Sequence, residues 1–330
     1  MTNSDFVPSI NEIRAAAARI AGKAIITPLL PNDILSEETG TNAFVKAECL
    51  QNTGSFKFRG GYNSVAALPE EKRKLGVVAC SSGNHGQGVA EAARLLGCKA
   101  TIVMPADAPA LKAARVRRSG ADIIPYDRAT EDRDEIAREF SGKTGATLIH
   151  PYEHPDVVAG QGTCGLEMAQ QFEEMEITPD RILVCCGGGG LTAGVALAIH
   201  NSFPEAKVCT VEPEGFDDYR RSLDAGKRLG NKSTTGSYCD ALLSPEPGEL
   251  SFTINKSHVA ESLAVTDSQA FDAVRFAYEE LKLVLEPSGA VSLAALIDNA
   301  SVWKGETIAC VLSGGNVDPD LYSQILRKEV

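Results

Sequence analysis

Ser55-Phe56-Lys57-Phe58-Arg59-Gly60 sets one lysine between two phenylalanines, directly after the turn signal Asn52-Thr53-Gly54. Burial or a neighbouring cation lowers an amine's pKa and leaves part of it neutral and nucleophilic. A lysine needs that to form a Schiff base with a carbonyl compound. The same pattern also fits a lysine whose stem lies on apolar surface with its charge in water, so other segments must decide. Three of them run from an apolar stretch toward a turn or a helix. Cys80-Ser81-Ser82-Gly83-Asn84-His85-Gly86 offers helix N-terminal N–H groups together with Ser and Asn donors, a seat for a carboxylate. Cys186 is followed by Gly187-Gly188-Gly189-Gly190, whose backbone can approach a ligand and aim several N–H groups at one phosphate. No Lys-Ser/Thr pair follows as in a P-loop, and G-x-G-x-x-G fits poorly, so a monophosphate suits this loop better than a dinucleotide. Val311-Leu312-Ser313-Gly314-Gly315-Asn316 ends a further strand. Open α/β sheets gather ligands at such ends, and Ser313 would point a hydroxyl into the crevice.

The elements that must position these groups follow from periodicity. Short apolar runs alternate with helical patterns, which predicts βα units and mostly parallel sheets. Strands are expected at 43–47, 76–80, 100–104, 122–125, 147–150, 181–186, 207–212 and 307–312. Helices are expected at 10–21, 58–67, 85–96, 110–119, 131–141, 157–174, 191–201, 267–283, 289–299 and 319–327. Residues 233–262, with Ser244-Pro245-Glu246-Pro247-Gly248, read as a long connection, functional or covering a partner. No charge block or Gly/Ser linker marks a boundary, so the lobes are expected to interleave.

With 330 residues the chain can build a large core and two lobes. Its net charge of −12 argues against nucleic acid, which demands clustered Lys/Arg. No apolar run reaches the ~18 residues of a membrane span, and Met1-Thr2-Asn3-Ser4-Asp5 shows no secretory signal. The nine cysteines include no C-x-x-C pair and read as reduced core residues of a cytoplasmic protein. The five histidines show no metal-ligand spacing.

A lysine nucleophile, a monophosphate cradle and a carboxylate seat together point to pyridoxal phosphate. In the order and spacing of these segments the chain resembles the fold-type II pyridoxal-phosphate enzymes, in the serine/threonine dehydratase and serine racemase group that includes threo-3-hydroxyaspartate dehydratases. Ala159-Gly160-Gln161-Gly162-Thr163 and Glu286-Pro287-Ser288-Gly289 complete the match. The resemblance implies a two-lobed α/β fold (tryptophan synthase β-like), each lobe a mostly parallel sheet flanked by helices. Residues 1–67 and 153–330 would form a large cofactor lobe, and residues 68–152 a small, mobile substrate lobe. It implies that Lys57 carries the cofactor and later takes the α-proton, and that Phe56 packs beside the ring. Asn84 would bond the ring's 3-hydroxyl, Gly187, Gly188, Gly189 and Gly190 would hold the phosphate, and Glu286 and Ser313 would complete the cofactor site, Ser313 at the ring nitrogen. A neutral hydroxyl there makes the ring a weaker electron sink than an acid would, which favours loss of a β-leaving group over transamination. Ser81, Ser82, Asn84 and His85 would hold or flank the substrate carboxylate. Ser82 would stand on the opposite face of the substrate, where racemase-like members return a proton.

The resemblance further implies a divalent-cation loop (Mg²⁺, Mn²⁺ or Ca²⁺) at Glu212-Pro213-Glu214-Gly215-Phe216-Asp217-Asp218. Glu212 and Asp218 would give carboxylate oxygens and Phe216 a carbonyl, hard ligands that suit these ions. Arg133 falls where racemase-like members place an arginine near the substrate, and an Arg reaches a second carboxylate bidentately. Tyr152 departs from the Asn expected in a racemase-like nucleotide site. The implied reaction is dehydration of a β-hydroxy amino acid to a 2-oxo acid and ammonia, with L-serine, L-threonine or threo-3-hydroxyaspartate as substrate and a homodimer as the assembly. The chain stops at Val330, so no isoleucine-regulated domain is expected and the role reads as catabolic. Racemisation, β-replacement, dehydration of a hydroxyectoine-derived catabolite and a non-catalytic binding module are the alternatives.

Overall fold

The computed structural model describes residues 6–81, 83–108, 110–127 and 129–330. Ten strands form two sheets: β1 (Leu29–Pro31), β2 (Asn42–Lys46), β3 (Val77–Cys80), β4 (Ala100–Pro105), β5 (Asp122–Tyr126), β6 (Thr147–Leu148), β7 (Arg181–Cys185), β8 (Lys207–Pro213), β9 (Val259–Val265) and β10 (Thr307–Val311). The larger sheet has the order β1-β2-β10-β7-β8-β9 and the smaller β5-β4-β3-β6. Every pairing is parallel except β1 with β2. Helices cover the sheets, so central strands such as β3 and β7 are buried along their whole length, as expected of strands that bury both faces. The smaller sheet is built from 77–148, between β2 and β7 in the chain, which is the interleaving expected.

All eight expected strands are present. β1 and β9 are additional, because three residues make no period and β9 is a half-exposed edge strand with weak alternation. Residues 233–262 are not one long connection. The prolines hide a helix, Glu249–His258, that leads into β9. The helix expected over 267–283 ends at Phe276 and widens into a π turn, Ala277–Leu281, closed by Lys282 at φ 57°.

Helix Lys57–Ala67 starts at the lysine itself. It is clamped between helix Asn84–Leu95 and helix Pro155–Glu174 by close backbone approaches. A Cβ on Gly88 would stand 2.9 Å from the carbonyl oxygen of Lys57, and one on Gly160 would stand 2.7 Å from the Cα of Gly60. Only glycine permits such contacts. The same helix carries Arg59, fully buried, whose guanidinium bridges the carboxylates of Glu48 and Glu167, both at 2.7 Å. Lys46 reaches Glu167 at 2.9 Å. Two cations and two anions thus balance around the base of the lysine helix.

Candidate active site

The ends of β3, β7 and β10 and the start of helix Lys57–Ala67 converge on one cavity of about 160 Å³. Phe56, Lys57, Ser81, Asn84, His85, Arg133, Gly187 to Gly190, Glu286 and Ser313 all line it. Ser82 lies outside the described residues.

Lys57 Nζ donates to the carbonyl of Pro151 at 3.2 Å and lies 5.0 Å from the centre of the Phe56 ring. No carboxylate pairs with it among the described residues. Burial pulls its pKa down to about 8. His85 Nε2 lies 2.9 Å from the carbonyl of Ile149. A carbonyl only accepts, so Nε2 carries the proton, and Nδ1 is buried with no partner. Burial, then Lys57, pushes His85 down to about 3, so its ring is neutral at physiological pH. Asn84 Nδ2 donates to Glu286 Oε1 at 2.6 Å, while Asn84 Oδ1 accepts from Asn316 Nδ2 at 2.7 Å. The amide is therefore oriented from both sides, with one Nδ2 hydrogen left. Burial raises the Glu286 carboxyl to about 7. Ser81 caps the loop through Gly83 N–H to Oγ at 3.1 Å. Ser313, at the end of β10, is buried beside the Cys185 thiol, which burial raises to about 11.

The glycine loop is held from behind. The carbonyl of Gly188 accepts from Ser251 Oγ at 2.5 Å, the Gly248 N–H at 3.1 Å and Tyr219 Oη at 3.3 Å. The carbonyl of Gly189 accepts from Asn255 Nδ2 at 3.2 Å. With the carbonyls fixed outward, the N–H groups of Gly188, Gly189 and Gly190 have no protein acceptor among the described residues. They open helix Gly190–Ser202, whose positive end adds to their pull on an anion. Gly189 sits at φ 88°, and a Cβ there would stand 1.9 Å from Tyr219 Oη.

The sequence did not single out Lys112 or the turn Asp240–Ser244, and it assigned no role to Asn316. Lys112 and the turn reach the cavity from outside the motifs, and nothing in their local pattern marks them. Asp240 to Ser244, within the segment 233–262, form part of the cavity lining.

The acidic loop lies apart from this cavity. Glu212 and Asp218 are fully buried and Phe216 is nearly so. Glu212 Oε1 and Oε2 accept the N–H groups of Tyr219 and Arg220 at 2.8 and 2.9 Å. Asp218 Oδ1 accepts from Asn231 at 2.7 Å, and Oδ2 has no partner. Burial raises both carboxyls, Asp218 to about 7. No group of three or more His, Cys, Asp or Glu side chains forms a metal cluster among the described residues.

The pyridoxal-phosphate dependent enzyme family matches residues 20–314. The chain belongs to that family. It is 41% identical to the L-threo-3-hydroxyaspartate ammonia-lyase of a Pseudomonas species, over 97% of this chain and 98% of that one. It is 38% identical to the serine racemase of Schizosaccharomyces pombe, over 99% and 100%. A solved threonine deaminase from T.th. superposes with a TM-score of 0.90 at 41% identity, covering 94% of this chain and 99% of that one. The two-sheet architecture of this enzyme is accordingly that of the fold-type II group. Its cavity fits the cofactor on its own terms. A part-buried amine with no carboxylate partner among the described residues faces it, three N–H groups stand free where a phosphate would lie, and a Cβ on Gly188 or Gly189 would run into Tyr152 or Tyr219. No helix among the described residues is long and apolar enough to cross a membrane.

Gly189→Ala is expected to weaken pyridoxal-phosphate binding at least tenfold, read by absorbance titration. Gly305 is the control, since it has φ 85° but nothing within 4 Å of its Cβ position. Equal losses in Gly189→Ala and Gly305→Ala would mean that backbone strain, not the cradle, carries the effect.

Proposed function

We propose that this enzyme is an ammonia-lyase of β-hydroxy amino acids, releasing a 2-oxo acid and ammonia. The observation that carries the reading is the pairing of a desolvated Lys57 amine with an N–H cradle and a helix N-terminus in one cavity. When bound, pyridoxal phosphate supplies an aldehyde that joins an amine and a ring that draws electrons from the bonds at Cα. Lys57 holds the cofactor, Gly187 to Gly190 bind its phosphate, Phe56 packs against its ring, and Asn84, held by Glu286, and Ser313 bond its polar atoms. The Ser81–His85 turn seats the α-carboxylate, with Ser82 in the same segment. His85 stays neutral, so it acts there as a fixed dipole rather than as an acid. Lys57 Nζ, once free, takes the α-proton, since an amine with a pKa near neutrality is a competent base. The proton taken from Cα and the β-hydroxyl together make up the water lost, and the enamine that would be released would take up a second water to give the keto acid and ammonia. Arg133 lines the cavity with its side chain 41% exposed and Asp134 3.8 Å away. The small lobe, 68–152, closes over the cofactor lobe formed by 1–67 and 153–330.

The test is keto-acid release by the loaded enzyme from L-serine, L-threonine and the 3-hydroxyaspartate isomers. Preference for a hydroxyaspartate is the expected result. Absence of any keto acid, with inversion of L-serine instead, would replace this reading by racemisation.

A divalent cation at Glu212, Asp218 and the Phe216 carbonyl is supported by the unpartnered Asp218 Oδ2 and by the shared burial of two acids. Chelation is expected to lower the melting temperature by several degrees, because a ligand at one hundred times its Kd stabilises by about 2.7 kcal/mol. An unchanged melting curve would refute the cation. A homodimer is supported by the exposed Ile25, Ile26, Leu50 and Val284. The segments that carry the first three are tied together, since the Gln51 side chain bonds the N–H and the carbonyl of Ile25. A cytoplasmic setting is supported by nine free cysteines.

A further inference from the structure

Lys112 and Asp240 form an ion pair at 3.0 Å, and both line the active-site cavity. They come from different parts of the fold. Lys112 is on helix Ala110–Arg118, which packs beside the smaller sheet. Asp240 is on a short turn held by Ala241 N–H donating at 3.0 Å to Ser288 Oγ, on helix Pro287–Asp298, which packs on the larger sheet. Both charges act on buried Glu286, which bonds Asn84 in the carboxylate turn, so the pair stands close to that seat.

Among the described residues the cavity is lined by three cations, Lys57, Lys112 and Arg133. Lys57 is committed to the cofactor. Arg133 stands beside Cys80, whose thiol bonds its carbonyl at 3.1 Å. Lys112 holds its carboxylate at 3.0 Å, whereas Arg133 has only its chain neighbour Asp134, at 3.8 Å. Asp240 is 59% exposed in its side chain and Lys112 only 19%. An exposed ion pair contributes little. Asp240 can therefore be released into water at small cost, whereas the half-buried ammonium needs a replacement anion.

We infer that Lys112 is a specificity-determining residue that receives the second carboxylate of a dicarboxylic amino-acid substrate, and that Asp240 fills that place when no such substrate is bound. This rests on the dehydratase reading above. A monocarboxylic substrate leaves the pair closed. A dicarboxylic one exchanges one carboxylate for another, with no change in the charge at Lys112.

The test is absorbance titration of the pyridoxal-phosphate-loaded enzyme with L-aspartate and L-alanine. They differ only in the second carboxylate, and neither carries a β-hydroxyl to lose. Wild type is expected to bind aspartate more tightly. Lys112→Met should reduce the aspartate-to-alanine preference at least tenfold, and Asp240→Asn should raise it several-fold. Opposite signs are the signature of competition. A mere latch between the lobes would move both variants and both ligands the same way, which would overturn the inference. It is also overturned if wild type shows no preference, or if Arg133→Met alone removes it. Should Lys112→Met fail to fold, the sign of the Asp240→Asn effect still decides. Keto-acid release from L-serine is run on the same samples. Keto acid released there or from the 3-hydroxyaspartate isomers without an aspartate preference sinks this inference alone, and no keto acid from any of these substrates sinks the dehydratase reading.

Discussion

Lys57→Ala enzyme is expected to release keto acid at least about 10³-fold more slowly than wild type, within the range lost with a single positioned base. Among the described residues the other amine lining the cavity is Lys112, which is held by Asp240. The variant should still bind pyridoxal phosphate, since the glycine cradle is untouched, but borohydride should no longer fix the cofactor to the chain. Retained turnover would remove Lys57 from the mechanism. In the cofactor-free wild type the rate of covalent uptake should rise with pH and level off above about 8, the pKa to which burial pulls the amine. At pH 7.5 about a quarter of such an amine is neutral, against about a thousandth of an ordinary lysine. An uptake rate still climbing steeply at pH 10 would show that the amine is not desolvated.

Arg59→Ala should lower stability by about 3–5 kcal/mol, the usual cost of stranding a buried carboxylate. Arg59 grips Glu48 through Nε at 2.8 Å and Nη2 at 2.7 Å, and Glu167 through Nη1 and Nη2, both at 2.7 Å. Thr27 and Lys46 complete the set. Burial alone would raise the Glu48 carboxyl, but Arg59 and then Lys46 outweigh it and hold it below its usual value of 4.5. A carboxyl lowered on folding adds stability that is complete above its unfolded pKa and is lost as pH falls through the folded one. Wild type should therefore keep this contribution at pH 5. In Arg59→Ala the sign reverses: Glu48 is buried without its main partner, its pKa rises, and acidifying from pH 7 to 5 should stabilise the variant. Urea midpoints at the two pH values read both effects. A variant within 1 kcal/mol of wild type, with no reversal, would show that the network is not needed. Because Arg59 lies two residues from Lys57 on the same helix, weaker cofactor binding should accompany the loss.

Much of the site was legible because its chemistry is carried by short local signals. A strand end followed by Gly-rich sequence and a helix start is written in consecutive residues, as at Ser81–Gly86 and Gly187–Gly190, and a ligand seat of backbone N–H groups needs little more. Hydrophobic periodicity was enough for the central strands, since buried parallel strands are continuous apolar runs. It was not enough for β1, for β9 or for the helix behind Pro245 and Pro247, where short length, edge exposure or proline removes the period. The sequence by itself determined the cofactor class and the α/β architecture, and it marked Lys57 as the candidate nucleophile. Only the tertiary structure decided how those groups are held and tuned. Lys57 is desolvated because Gly88 and Gly160 let two helices close on its own. Asn84 is oriented by Glu286 and Asn316, more than 200 residues away. Asp240 meets Lys112 across 128 residues. Pairings at such separation leave no local pattern, because the field and the burial that set a pKa come from chain segments that only folding brings together.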